Sequence, residues 1–469
     1  MKGKKTSSSF PHVFVILLVI MAVAMVATWV VPAGEYSRTF DEQTRKTVIQ
    51  PESFHAVESS PVNPFQMFIA VQKGLIQAAS IVFFIFIVFS SIFIVMTTGA
   101  IDASIAWMVR KTRAKPQSAN FGFIVMMSVF MIWGSTGTLS YEQMIAFVPI
   151  FSSLALALGY DPIVGLAISF VSVGIGFASA TVNPFTIGVA QTIAELPLFS
   201  GLAYRLLALL LMGSITIWWT LRYAKKIKKD PSKSVVSGVD FGDLEFDDSK
   251  IDLKITSRHK ITLIIFLITV LIAGFGLLKL HWYINQLAGL FLIMGIAVGL
   301  VNSYSPNKIA DLFVKGMSKG VLSATIVGVA RGILVVLSEG RIVDTIIHSM
   351  ANLLNQGSLY LGSVGMLLFQ TVMNFLVPSG SGQAATTMPI MAPLSDLIGM
   401  NRQIAVLAFQ FGDGFSNLIW PTSFILIGCV LANVPFNKYL RWFLPLFSML
   451  FVVQVLLLWG AIMIDYGPF

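Results

Sequence analysis

Apolar runs of about 20 residues recur along almost the whole chain, separated by short polar stretches. That spacing predicts membrane-spanning helices, because about 20 residues of helix cross a hydrocarbon core of about 30 Å. No alternation of apolar and polar positions over ten-residue segments is present, so a transmembrane barrel is not expected. The pattern therefore predicts an all-α polytopic membrane protein. Crossing helices are expected near 10–31, 78–98, 161–180, 201–222, 259–279, 283–303, 320–338, 402–434 and 440–464. Residues 100–112 and 341–355 read as amphipathic helices lying on the membrane surface.

Four of the apolar stretches are interrupted by small polar residues. The segment 119–158 breaks at Gly134-Ser135-Thr136-Gly137-Thr138, and 359–399 breaks at Pro378-Ser379-Gly380-Ser381-Gly382. The helix begun at 161 breaks at Ser179-Ala-Thr-Val-Asn-Pro184, and the helix begun at 402 breaks at Asn417-Leu-Ile-Trp-Pro421-Thr-Ser423. Loop charge decides how the first of these is threaded. Arg222, Lys225, Lys226, Lys228, Lys229 and Lys233 make the loop 222–260 the strongest cytoplasmic signal in the chain. A full crossing over 119–158 would place that loop outside. A re-entrant hairpin, entering and leaving on one face, puts every basic loop inside, including Arg110, Lys111, Arg113 and Lys115. With Lys2, Lys4 and Lys5 ahead of the first helix, the N-terminus is expected in the cytoplasm and the C-terminus outside, in a bacterial inner membrane.

The two halves match. Val148-Pro149-Ile150 and Gly159 recur 240 positions later as Met388-Pro389-Ile390 and Gly399. Gly99-Ala-Ile101 resembles Gly340-Arg-Ile342, and Gly176-Phe177 resembles Gly414-Phe415. Each half reads helix, amphipathic helix, hairpin, broken helix, and an odd number of crossings between the hairpins makes the repeat inverted. The expected organisation is a first helix and outer loop (1–63), repeat 1 (64–222), a cytoplasmic loop (223–258), connecting helices (259–304), and repeat 2 with the last helix (305–469).

Composition agrees with this picture. The 469 residues are 56% hydrophobic and 11% charged, against about a quarter charged in soluble chains. Mean hydropathy is +0.82. The net charge of +9 is carried by loops beside apolar runs, so no nucleic-acid partner is expected. The single cysteine, Cys429, excludes an intramolecular disulfide.

Non-helical backbone at membrane depth survives only where its N–H and C=O groups meet protein, ions or water. Two hairpin tips and two breaks, rich in Ser, Thr, Asn and Gly, make four such places; Ser135, Thr136, Thr138, Asn183, Ser379, Ser381, Asn417, Thr422 and Ser423 lie in them and are the substrate-binding candidates. Charges at depth add Arg331, Asp413 and Glu142. Arg331 and Asp413 are both expected within reach of the central cavity between the hairpin tips, Arg331 for a carboxylate and Asp413 for an amine or a coupling ion; the bland alternative is that the two simply pair to hold their helices together. Glu142 is a second coupling candidate. An enzyme is not expected. Gly380-Ser381-Gly382 could hold a nucleophile, but a serine needs a nearby base, and the five histidines fall at helix ends or loops. No H-E-x-x-H or G-x-x-x-x-G-K-[ST] is present, so neither a zinc site nor an ATP site is expected. The expected function is secondary transport, with a channel as the alternative. No cofactor is expected beyond Na+ or H+ as coupling ion; the partners are a small-molecule substrate, membrane lipid and, for a homodimer, a second copy.

At Ser379-Gly-Ser-Gly-Gln-Ala384, Phe409-Gln-Phe-Gly-Asp-Gly-Phe-Ser-Asn417, Pro421-Thr-Ser423 and Val182-Asn-Pro-Phe185 the sequence resembles the YfcC-like branch of the DcuC-type anaerobic C4-dicarboxylate carriers. The resemblance spans nearly the whole chain. It implies the ion-transporter superfamily architecture and places Ser135, Thr136, Asn183, Ser381, Asp413, Asn417, Thr422 and Ser423 on site positions. Similar proteins often carry two adjacent acids after the first tip, where this chain has Glu142-Gln143. Members are assigned dicarboxylates or amino acids such as arginine and ornithine. One cation against two acids favours an amino acid here, with a C4-dicarboxylate as the alternative.

Overall fold

The computed structural model describes residues 13–42, 46–114, 117–145, 147–245, 252–280, 282, 284–354 and 358–467. Residues 10–12 of the expected first helix, Lys115, and part of the basic-then-acidic loop lie outside these.

The chain opens with α1 (Val13–Val30) and four short strands, β1 (Gly34–Glu35), β2 (Arg38–Asp41), β3 (Lys46–Ile49) and β4 (His55–Ala56). Then come α2 (Pro64–Gln77), α3 (Ala79–Thr97) and α4 (Ala100–Ala114). The first hairpin is α5 (Gln117–Ser135), α6 (Tyr141–Met144) and α7 (Val148–Ala157). The first broken helix is α8 (Pro162–Leu166), a π turn and α9 (Ser172–Ala178), continuing after the break through a second π turn into α10 (Val189–Ile193). Next are α11 (Leu202–Lys229), α12 (Ser257–Lys279), α13 (Ile284–Val301), α14 (Pro306–Glu339) and α15 (Val343–Leu354). The second hairpin is α16 (Leu359–Leu376) and α17 (Gly380–Leu397), and the second broken helix is α18 (Arg402–Ser416) and α19 (Ile425–Leu431), followed by α20 (Phe436–Met463). Seven of the described helices are long and apolar enough to cross a membrane as single rods.

Three departures from the sequence reading have simple causes. Residues 64–77, assigned to no element above, form α2. Asn63 caps it in a reciprocal box with Gln66, and Pro64 starts it. Its Gln66, Gln72, Lys73 and Gln77 interrupt the apolar run and hid it. Lys308, Lys315 and Lys319, which the expected helices 283–303 and 320–338 leave in a connection between them, lie on α14, which is capped by Ser305. At 34 residues that helix is about 51 Å long, well beyond the hydrocarbon core, so its first turns carry charge without penalty. The segment 32–63, expected outside, carries short strands: β1 pairs with β4 and β2 with β3, both antiparallel. The backbone N–H of Tyr36 (2.9 Å) and the Arg38 guanidinium (2.8 Å) both bond the buried Asp344 carboxylate, tying this ribbon to α15.

Both hairpins are re-entrant. Phe123 near the start of the first packs edge-on against Tyr160 just beyond its end, ring centroids 5.2 Å apart. Phe130 and Phe151 meet halfway up at 5.3 Å. In the second, a methyl at Gly362 would lie 2.8 Å from Ile398, so entry and exit again share a level. They enter from opposite poles. The foot of the first, at Leu158 and Tyr160, receives Lys228 from the end of α11. At the foot of the second, Arg402 bonds Asp396 of α17 together with Glu195 and the Ala194 carbonyl after α10. The turns at the two feet match, with Gly159 at φ +75° and Gly399 at φ +74°. Asp161 and Asn401 then cap the two broken helices, 240 positions apart.

Two groups of helices follow from the packing. α14 lies along α1, α2 and α3, with α12 and α13 beside them. Both hairpins, both broken helices, α11 and α20 form the other group.

Candidate functional site: two crossed breaks between two hairpin tips

The broken helices cross where glycine removes the side chain. A Cβ on Gly414 would strike the Ala178 Cα and lie 2.6 Å from its Cβ. The Gln410 amide donates to the Phe177 carbonyl (2.8 Å), and the Tyr141 hydroxyl donates to the Gly414 carbonyl (3.0 Å). Gly134 backs onto the Val173 carbonyl, and Gly174 leaves room for Leu418 and Tyr141. Both broken helices are thus seated against the first hairpin and against each other.

Each tip meets a break. Ser135, at the first tip, accepts from the Thr181 N–H through its carbonyl (2.8 Å), and its hydroxyl lies 3.2 Å from that of Thr181. Gly137, at φ +74°, faces the Asn183 side chain, where a Cβ would lie 2.9 Å from Oδ1. That Oδ1 accepts from the Phe185 N–H (2.9 Å). At the second tip, a Cβ on Gly380 would lie 3.2 Å from Asp413 Oδ2 and 3.5 Å from Phe177, and would strike Thr186. Tip two therefore touches both breaks.

What remains unpaired here is informative, because buried polar groups are ordinarily satisfied. Both carboxylate oxygens of the fully buried Asp413 lack a hydrogen-bond partner among the described residues. So do Gln410 Oε1, Asn374 Oδ1, Gln383 Oε1 and the Ser423 hydroxyl. Around the first break the unpartnered groups are the Ser179 and Thr186 hydroxyls and Asn183 Nδ2. The second break thus offers mainly acceptors, and the first offers an amide donor and hydroxyls.

The other sequence candidates divide. Thr136 and Thr138 bond each other (2.7 Å) at tip one. Ser379 caps α17 through Gly382 N–H, and Ser381 lies half-buried in the same turn. The Asn417 amide donates to the Asp413 carbonyl (2.8 Å), and Thr422 donates to the Phe375 carbonyl (3.1 Å). Glu142 accepts from the Ser140 hydroxyl, which also contacts Gln143. Arg331 stands apart. Its Nε donates to Gln77 Oε1 (3.3 Å) on α2, and among the described residues it forms no pair with Asp413. The reason is register: α14 turns Gly328 and Gly332 onto α2, and Arg331 follows them to that side.

Sequence reading missed Thr181, Thr186, Gln410, Tyr141 and Arg205. Thr181 and Thr186 sit inside or beside the first break, where spacing could have found them. Tyr141 lies just beyond the first tip, and Gln410 lies inside the 409–417 motif, where Asp413 and Asn417 drew the assignment instead. Arg205 near the start of α11 is buried, whereas arginines at helix ends ordinarily reach water, so nothing in its sequence position marks it.

Two opposed re-entrant hairpins closing on two interrupted membrane helices, with unpaired polar groups at the crossing, have the construction of a membrane transporter. The sequence model of the C4-dicarboxylate anaerobic carrier (DcuC) matches residues 10–463, and the chain belongs to that family, a family of multi-pass membrane transporters. It is 32% identical to the Escherichia coli (strain K12) protein YfcC, provisionally described as a basic amino acid antiporter, over 98% of this chain and 97% of that one. An uncharacterised Haemophilus influenzae protein is 29% identical over 97% of each. Among solved structures, it overlays on Neisseria gonorrhoeae MtrF (16% identity, TM-score 0.43, covering 96% of this chain and 95% of that one). The Alcanivorax borkumensis YdaH transporter overlays with 16% identity and TM-score 0.45, covering 98% and 99%.

Proposed function

We propose that this transporter is a secondary active carrier, ion-coupled or exchanging, of small carboxylate-bearing metabolites, with basic amino acids such as arginine and ornithine as its substrates. The observation that carries this reading is Asp413, a fully buried carboxylate without a hydrogen-bond partner where both breaks meet tip two. An unpaired buried carboxylate is costly, and an amine, Na+ or a proton removes the cost. The acceptors Gln410 Oε1, Asn374 Oδ1 and Gln383 Oε1 belong to the same repeat and suit a cation. The carboxylate end of the substrate then falls to the first break and tip, where Asn183 Nδ2 and the hydroxyls of Ser179 and Thr186 lack partners. The name carried by the Escherichia coli relative supports the same substrate class. Arg331 is left as a residue of the α2–α14 pair.

The family description favours a second reading, a C4-dicarboxylate. A thermal-shift comparison of L-arginine, L-ornithine and succinate separates the two, since a ligand of the native state raises its melting temperature. Stabilisation by succinate alone would overturn the amino-acid reading. Saturable uptake stimulated by unlabelled substrate on the far side separates a carrier from a channel. In the orientation we propose, the pole of Lys228 faces the cytoplasm of a bacterial inner membrane and the pole of Arg402 faces outside. Asp413→Asn tests the site itself. The substitution removes a buried charge, so the variant is expected to lose transport while melting no lower than wild type. Wild-type uptake in that variant would remove Asp413 from the mechanism.

A further inference from the structure

α11 and α20 follow the two broken helices, and each is 28 residues long, Leu202–Lys229 and Phe436–Met463, displaced by 234 positions. Under that displacement Arg205 corresponds to Tyr439, the fourth residue of each helix. Both side chains are buried, at 1% and 0% exposure. Both donate to a backbone carbonyl inside the break of their own repeat. Arg205 Nη2 bonds the Thr181 carbonyl (3.1 Å), and the Tyr439 hydroxyl bonds the Leu418 carbonyl (3.1 Å). A helix break frees carbonyls that nothing in a helix would satisfy, and these two are each tied by the same position of the next helix.

The two ties differ in charge. Arg205 also donates to the Ser200 carbonyl (2.6 Å) and the Phe199 carbonyl (3.1 Å), and its Nη1 lies 3.3 Å from the Tyr466 hydroxyl. No carboxylate is among its described partners. Thr181 passes this anchorage on, since its N–H and hydroxyl bond Ser135 at the first hairpin tip. The first break is therefore backed by a guanidinium with no carboxylate among its described partners, and the second, which follows Asp413 in the chain, by a neutral phenol.

We propose that Arg205 and Tyr439 are equivalent positioning residues, each holding the break of its own repeat in register. The guanidinium in one repeat and the phenol in the other bias the first break toward the substrate's anionic end. The second half of this statement rests on the function proposed above; the first half does not.

The test uses the purified full-length chain. Hydrogen exchange followed by mass spectrometry is read over residues 179–188 and 416–424. Tyr439→Phe, which deletes one hydroxyl, is expected to speed exchange about five- to tenfold over 416–424 and leave 179–188 unchanged. Arg205→Gln is expected to do the converse. Unchanged exchange at both breaks, or equal loosening throughout the chain, would overturn the positioning role. If Arg205→Gln cannot be purified, Tyr439→Phe decides that point alone. In proteoliposomes, Arg205→Lys is expected to raise the KM for L-arginine about tenfold with kcat within about twofold, since one lysine cannot replace the forked contacts. An unchanged KM would overturn the electrostatic bias. If wild type does not carry L-arginine, the proposed substrate is wrong, and the exchange measurement still decides the positioning role.

Discussion

Gly414→Ala measures how closely the two broken helices must approach. The added methyl would lie 2.6 Å from the Ala178 Cβ and 2.9 Å from its backbone nitrogen, besides striking the Cα. Carbon atoms pack at roughly 3.5–4.0 Å, so the helices must part by about 1 Å. Flexible side chains cannot absorb this, because the obstacle is backbone in a fully buried helix. Overpacking of this kind costs about 1–3 kcal/mol. The displacement would also pull Gln410 from the Phe177 carbonyl and the Gly414 carbonyl from Tyr141, and it would shift Asp413 against tip two. A misplacement of about 1 Å in a binding constellation can cost roughly a hundredfold in rate. The assay is counterflow of labelled L-arginine in proteoliposomes, with the thermal midpoint measured on the same preparation. Gly289→Ala is the control. Gly289 lies within α13 with nothing within 4 Å of the added methyl, so transport should hold and stability should rise by about 0.5–1 kcal/mol. Gly414→Ala with wild-type counterflow and midpoint would refute the close crossing, and with it the geometry assigned to the site.

Tyr141→Phe should cost about 0.5–1.5 kcal/mol, because the Gly414 carbonyl loses its buried donor; chemical denaturation of the purified protein checks this. Asp344→Ala should release the β1–β4 ribbon from α15, seen as faster tryptic cleavage at Arg38 while the membrane helices stay protected. Asp243 is held below the ordinary carboxylate range by a hydrogen bond from Lys319. That contact contributes above the ordinary carboxylate pKa and is lost as pH falls through the lowered value. Asp243 is 84% exposed at its side chain, so Lys319→Ala should leave the thermal midpoint at neutral pH unchanged.

Much of the architecture was legible in the chain. Apolar run length set the class of the fold and placed most of its helices, α2 excepted, because a bilayer admits few other solutions. Basic loops decided that 119–158 returns to its own side, and the ring contact of Phe123 with Tyr160 agrees. Repeated Gly159 and Gly399 marked matching turns, since both sit at positive φ, where a side chain is strained. The four interruptions pointed at the four pieces of backbone that come together.

Tertiary structure decided what those pieces touch. A sequence period states which face of a helix is apolar, and says nothing about which neighbour covers a given polar residue. Arg331 and Asp413 read alike as charges at depth, yet α14 carries Arg331 to Gln77 while the enclosed Asp413 carboxylate has no hydrogen-bond partner among the described residues. Thr138 and Ser135 lie in one tip, but Ser135 alone bonds Thr181. Arg205 carries no signal in the sequence, and only the fold places the first break against it. Element type is local, because hydrogen bonding and burial in lipid act on each segment separately. The composition of the site is not, since it depends on rotations and crossings that only the packed helices settle, to within the width of one methyl group at Gly414.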